Sequence, residues 1–208
     1  MDIWREGRFR LFISHAAKGR KLATGLSIEF IRHHISAFVA HNNIEPTAQW
    51  QDVIEYALRT CHATVALLTS DFPASKWTDQ EIGATHIRNV LIIPIKIDID
   101  PYGFIGKYQA LPGKDRTLDY LTSRIFMLLI KHDKTKMYMA QSIVAMLEES
   151  DTYQSAKDAM TFLEQIDYLD KQLIKRLQTA AKTNSQIYDA FGVPERLKSY
   201  IKKAKEVG

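Results

Sequence analysis

The sequence predicts an α/β fold, a flavodoxin-like five-stranded parallel sheet followed by a C-terminal helical extension. Three observations carry this. Strand and helix signals alternate from the start of the 208-residue chain to about residue 130, the pattern of a mostly parallel sheet with helices on both faces. Runs such as Val90-Leu91-Ile92-Ile93 are apolar without alternation, as strands covered on both sides must be. Beyond Lys131 the strand signals stop and helical periodicity continues.

Taken in order, Phe9 to Ile13 reads as the first strand. Lys18 to Arg32 reads as a helix with Leu22, Leu26 and Phe30 on one face, and Ser36 to Ala40 as a short second strand. A polar connection, His41-Asn42-Asn43-Ile44-Glu45-Pro46, leads to a helix whose stripe is Val53, Ile54, Ala57 and Leu58. Trp50, just before that stripe, reads as the edge of the core or as an exposed ring able to stack on a base or a neighbouring chain. Thr64 to Leu68 is the third strand, Val90 to Ile97 the fourth and Lys107 to Leu111 a short fifth, and Leu118 to Ile130 closes the unit as a helix. Further on, Leu163, Ile166, Leu169, Leu173 and Leu177 recur at three- and four-residue steps, which predicts one amphipathic helix. Phe191-Gly192-Val193-Pro194 reads as a helix stop and restart. The expected domains are 1–130 and 131–208. With no Gly-, Pro- or Ser-rich linker between them, the helices are expected to pack on the sheet domain.

Composition excludes several classes. A net charge of +4 makes no electrostatic case for nucleic acid, and Lys198, Lys202, Lys203 and Lys205 read as a solvated helix face. One cysteine, Cys61, allows no internal disulfide, suits a reducing cytosol and reads as a small core residue. The charged N-terminus does not read as a signal peptide, and runs such as Ile125 to Ile130 are too short to span a bilayer. The expectation is a soluble cytoplasmic protein without membrane contact. No Gly-x-Gly-x-x-Gly loop, P-loop or Gly-x-Ser-x-Gly elbow is present. The end of strand one carries Ser14 and His15 rather than the acidic residues of a phospho-receiver. His33 and His34 are adjacent, and no His-Glu-x-x-His occurs, so no metal site is expected. His15 and His41 both follow strands and could share a sheet edge; His41 reads as a polar loop residue.

The most informative segment is Ser75-Lys76-Trp77-Thr78-Asp79-Gln80-Glu81-Ile82-Gly83. It places Glu81 one helical turn after Trp77, just past the third strand. A flavodoxin-like sheet binds ligands between its first and third strands, which brings Ser14 and His15 near Thr69 and the Trp77 to Glu81 segment. A flat ring beside an isolated acid could hold a cationic heteroaromatic and stabilise positive charge forming next to it. Spacing alone favours a plainer reading. Thr78 as N-cap with Glu81 three residues on is capping-box spacing, and Trp77 with Ile82 would form a hydrophobic staple. A capping carboxylate in the field of a helix N-terminus would stay ionised.

Several pieces occur together and in order: Leu11-Phe12-Ile13-Ser14-His15, Phe38-Val39-Ala40-His41, Ile44-Glu45-Pro46 leading to Trp50, Val65-Ala66-Leu67-Leu68-Thr69, Ser75 to Gly83, and Pro101-Tyr102-Gly103-Phe104. The ordered set, from Arg8 to Ile130, resembles a TIR domain of the bacterial kind, and most of all the stand-alone TIR proteins of Thoeris-type antiphage defence. The resemblance implies cleavage of the nicotinamide–ribose bond of NAD, with release of nicotinamide and of ADP-ribose in linear, cyclic or conjugated form, the last two acting as a signal to a downstream effector. It places the family's glutamate on Glu81 and its tryptophan on Trp77. Phe12, Ser14, His15, Trp50 and Gln80 become substrate-binding candidates; many relatives carry an aromatic residue where this chain has Gln80. The loop His41 to Gln49 matches the family's assembly loop, which implies homo-oligomers on activation and a site completed by a neighbouring subunit. NAD is then substrate, and no cofactor or metal is expected. Nicotinamide leaves as a neutral ring from a cationic one, so no general acid is needed, and one carboxylate suffices for the oxocarbenium character left on the ribose. The alternatives are a non-catalytic TIR adaptor acting by TIR–TIR assembly, with Glu81 only a cap, and an enzyme like the nucleoside deoxyribosyltransferases, which also break N-glycosidic bonds.

Overall fold

The computed structural model describes residues 3–40 and 50–207. Five strands, β1 (Phe9–His15), β2 (Ile35–Phe38), β3 (Ala63–Leu68), β4 (Leu91–Lys96) and β5 (Leu111–Pro112), form one sheet in the order β2-β1-β3-β4-β5. The β1–β3, β3–β4 and β4–β5 pairs are parallel. This is the flavodoxin-like order, with its reversal of winding between β1 and β3.

Between the strands run α1 (Arg20–Ile31), α2 (Trp50–Thr60) and α3 (Thr78–Ile87), and after the sheet α4 (Leu118–Lys131). Parity along the strands decides what each helix covers. Phe12 and Phe38 pack against Val53, Ile54, Ala57 and Leu58 of α2. Ala66, Leu68 and Ile92 pack against Phe72, Ile82 of α3 and Ile105. Leu11 and Ile13, of opposite parity on β1, are equally buried, so the sheet is covered on both sides. Each such aliphatic or aromatic side chain contributes roughly 1.5–3 kcal/mol of transfer free energy. On α1, Ala23, Leu26 and Phe30 are buried, and His33 just beyond meets Phe126 of α4 at 5.2 Å between ring centroids.

By contacts the chain divides into two units, Met1–Glu6 with Arg10–Phe126, and Gly7–Phe9 with Met127–Gly208. The second is helical: α5 (Lys136–Glu148), α6 (Tyr153–Leu163), α7 (Lys171–Thr183), α8 (Ser185–Tyr188) and α9 (Val193–Val207). α5 packs on α6 and α7, and α9 on the same two. Arg196 holds Glu164 with two nitrogens, at 2.9 and 2.7 Å. Among the described residues no helix is long and apolar enough to cross a membrane, and no group of three or more His, Cys, Asp or Glu could hold a metal. Cys61 is buried, and burial pushes its thiol up.

Three sequence expectations are corrected. β1 runs two residues further than the apolar pattern, because Ser14 and His15 stay in register with Ala66 and Leu67 of β3. The fifth strand is Leu111–Pro112, not 107–111; the chain before it closes a turn in which the Tyr108 amide donates to the Ile105 carbonyl. The predicted helix through Leu163 to Leu177 is broken between α6 and α7. Its five apolar residues are all buried, but Asp170 caps a new helix by accepting from the Leu173 amide at 2.7 Å. The Phe191–Pro194 restart does form, on Gly192 at φ 80°.

Candidate active site at the ends of β1 and β3

The carboxyl ends of β1 and β3 and the start of α2 enclose a cleft of about 420 Å³ lined by His15, Trp50, Ser75, Trp77, Glu81 and small residues from the β1 end, Ala16 and Ala17. That volume lies within the roughly 300–1,000 Å³ usual for ligand pockets. The cleft sits at the switch point, where the two crossovers leave the sheet in opposite directions.

Glu81 stands at its inner wall. It is 5% exposed, on the buried face of α3 with Ile82 and Thr85. The Ser14 hydroxyl donates to its Oε2 at 2.6 Å. Burial pushes the Glu81 carboxyl up to about 7, and the Ser14 hydrogen bond acts the other way. The Ser14 hydroxyl is the side-chain donor that favours its charge.

The capping reading of this segment is overturned. The N-cap position of α3 is Trp77, without a side-chain cap. The Thr78 hydroxyl instead donates to the Phe72 carbonyl at 2.7 Å, tying the helix start to the 3-10 turn Phe72–Ala74 before it. The Glu81 carboxylate reaches across to β1 rather than back to its own helix end. Nor is there a staple, since Ile82 joins the core cluster under α3 while Trp77 meets Trp50. Against the expectation of a carboxylate kept ionised, burial favours the neutral acid and outweighs the Ser14 hydrogen bond.

Trp50 and Trp77 lie edge to face, with centroids 4.7 Å apart and planes at 75°. Such a pair is a favoured aromatic geometry. Trp50 is 44% exposed, so the pair forms one rim of the cleft. His15 is buried beside it, its Nδ1 3.2 Å from the Ile13 carbonyl.

Three substrate-binding candidates do not line the cleft: Ser14 is fully buried and bonded to Glu81, and two others lie elsewhere. Phe12 is fully buried and stacked on Phe38 at 5.6 Å, beneath the site as core rather than in its wall. Gln80 is exposed, its amide turned to the Lys76 carbonyl, and does not line the cleft. The loop 41–49, with His41, lies outside the described residues. The Pro101 to Phe104 segment braces α3 from another side: the Tyr102 hydroxyl donates to Asp79 at 2.7 Å and its ring meets Phe72 edge-on. Sequence reasoning did not pick out Ala16, Ala17, Ala40 and Ile54 as cleft residues. The small residues directly after β1 were the signal available, since only short side chains at a strand end leave room for a ligand.

A family model described as the TIR domain matches residues 11–126. Among solved structures the chain is similar to the TIR domain of the Toll-related receptor TRR-2 from Hydra magnipapillata, at 19% identity and a TM-score of 0.50, over 60% of this chain and 99% of that one. At that identity the likeness is one of fold. Comparison with curated proteins found no match.

Proposed function

The chain belongs to the TIR domain family, and on that premise we propose that its cleft cleaves the nicotinamide–ribose bond of NAD. The observation that carries the proposal is Glu81: a carboxyl buried in a cleft of ligand size, reached by one hydroxyl donor and flanked by two indole rings. A buried acid that caps nothing has no evident structural role, and burying it opposes folding. This weighs against the adaptor reading, which needs Glu81 only as a cap.

In this reading the cationic nicotinamide ring lies against the Trp77 and Trp50 rim, attracted by their π faces. A bound cation also favours the ionised form of Glu81. As the C–N bond breaks, the ring takes up the bonding pair and leaves neutral, and the positive charge passes to the ribose. The Glu81 carboxylate stabilises that charge, in a site where partial exclusion of water strengthens the interaction. His15 lines the same cleft and offers a polar contact to the ribose. Gln80 would touch substrate only outside the cleft described here.

Residues 1–130 would then be the catalytic domain and 131–208 a helical extension. The product would be nicotinamide with a linear, cyclic or conjugated ADP-ribose. The resemblance of the sequence motifs to Thoeris-type proteins supports a signal made for an effector in antiphage immunity, with the cytoplasm as its place of action. Assembly through the 41–49 loop, with Trp50 beside it, would complete the site.

The test is mass spectrometry of products after incubating the purified chain with NAD, alongside Glu81→Gln. Nicotinamide release that depends on Glu81 supports the proposal, and the mass of the second product separates hydrolysis from cyclisation and conjugation. Full activity in Glu81→Gln overturns it. Wild-type protein that assembles on its trigger without consuming NAD selects the adaptor reading.

A further inference from the structure

We propose that Ser14 is a positioning residue for the cleft chemistry: its hydroxyl pins one oxygen of Glu81, leaves the other to face the ligand, and favours the charged form against burial. The inference rests on reading Glu81 as the charge-stabilising group.

The geometry is specific. Ser14 is fully buried near the end of β1, a position where its apolar neighbours would have suited the sheet better. A buried hydroxyl needs a partner, and serine commonly finds one in the backbone close by. Here it reaches a side chain 67 residues away, at 2.6 Å, a length typical of an O–H donor on a carboxylate. Its register partner on β3 is Ala66; in a parallel pair the two point to the same face, and the small methyl leaves room for the carboxyl arriving from α3. Only Oε2 is engaged by Ser14, so Oε1 remains for a ligand.

The surroundings leave the charge of Glu81 largely in the hands of this one bond. From β1 the titratable group lining the cleft with it is His15. α2 presents Trp50 and Ile54, and the turn before α3 presents Ser75 and Trp77, none of them charged. On α3 itself Asp79 is engaged by Tyr102 and Gln80 by the Lys76 carbonyl. Among the described residues no lysine or arginine lines the cleft beside the carboxylate. Burial favours the neutral acid, and the Ser14 hydroxyl opposes it.

The test is Ser14→Ala in the full chain, read in two ways. Side-chain carboxyl NMR follows the titration of Glu81, its resonance assigned by its loss in Glu81→Gln. The pH profile of nicotinamide release follows the same group in turnover. Losing a hydrogen bond to a charged group moves the Glu81 midpoint, and with it the acid limb of the profile, upward by about one pH unit, a tenfold change. KM for NAD changes less than twofold, and turnover recovers on raising the pH. Ser14→Cys, near-isosteric with a weaker donor, shifts the midpoint the same way by less, and serves if the alanine variant does not fold. A Glu81 midpoint that coincides in wild type and variant overturns the proposal, as does a loss of activity equal at every pH. The NMR arm needs no turnover, so the proposal can fail or stand independently of the NAD-cleaving reading.

Discussion

Glu81→Gln should make the protein more stable, and the gain should depend on pH. In the folded chain burial raises the Glu81 carboxyl from the usual 4.5 to about 7. The sign follows from linkage: the folded state holds its proton to higher pH than the unfolded state does. Below about pH 4.5 both states are protonated and the acid costs nothing through ionisation. Between 4.5 and 7 the unfolded chain is ionised while the folded one resists, and stability is lost at about 1.4 kcal/mol per pH unit. Above 7 the loss levels off at roughly 3 kcal/mol. Glutamine has the same shape, accepts from Ser14 through its amide oxygen and does not ionise. Its advantage should therefore be small at pH 4.5 and about 3 kcal/mol at pH 8, equivalent to several degrees in Tm for a chain of this size. The three tryptophans, Trp4, Trp50 and Trp77, all lie in the first unit, so urea unfolding followed by tryptophan fluorescence reports the part that holds Glu81. If the wild-type and Glu81→Gln stability curves run parallel from pH 4.5 to 8, the carboxyl is solvated and the burial argument is wrong.

Other outcomes follow from the same structure. If Glu81 acts as a carboxylate, as proposed, kcat/KM for NAD should rise with pH through about 7, where its carboxyl is placed, and then level off; a profile falling through that range would assign Glu81 to proton donation. Trp77→Ala should raise KM at least tenfold, and Trp50→Ala, at the exposed side of the pair, should do less; equal effects in steady-state kinetics would contradict this ordering. Gly113→Ala should cost roughly 1–3 kcal/mol in the same urea experiment, because an added Cβ would come within 2.4 Å of Ile95 and 2.7 Å of Ile97 where Gly113 holds the end of β5 to β4. Asp170→Ala should remove about 1 kcal/mol by uncapping α7, seen as faster hydrogen exchange in its first turn with little change in β1 to β5.

Much of the fold was legible because it rests on local pattern. Val65 to Leu68 is apolar at every position and lies in a central strand, as an unalternating run should. The stripe Val53, Ile54, Ala57, Leu58 is buried on α2 as its spacing requires. What failed did so where one polar residue outweighs an apolar period. Leu163 to Leu177 keep their burial, yet Asp170 spends its side chain on a new helix start and the run breaks in two. Lys107 to Leu111 looks like a strand, but the turn closed by Tyr108 takes up its first half.

Which candidate residues the fold brings together was partly legible, and the local role of Glu81 was not. Topology alone brings Ser14, His15, Trp77 and Glu81 to one edge of the sheet, because the ends of β1 and β3 are neighbours. Spacing then suggests the wrong job for Glu81. A capping box is a contest between local partners, and three positions of sequence separation cannot reveal that Thr78 has turned to the Phe72 carbonyl or that a serine 67 residues away offers a better donor. Once the cap is lost, a buried acid with a single hydroxyl partner costs the fold stability from about pH 4.5 upward, and a carboxyl kept at that cost in a ligand-sized cleft is what the proposed chemistry would require.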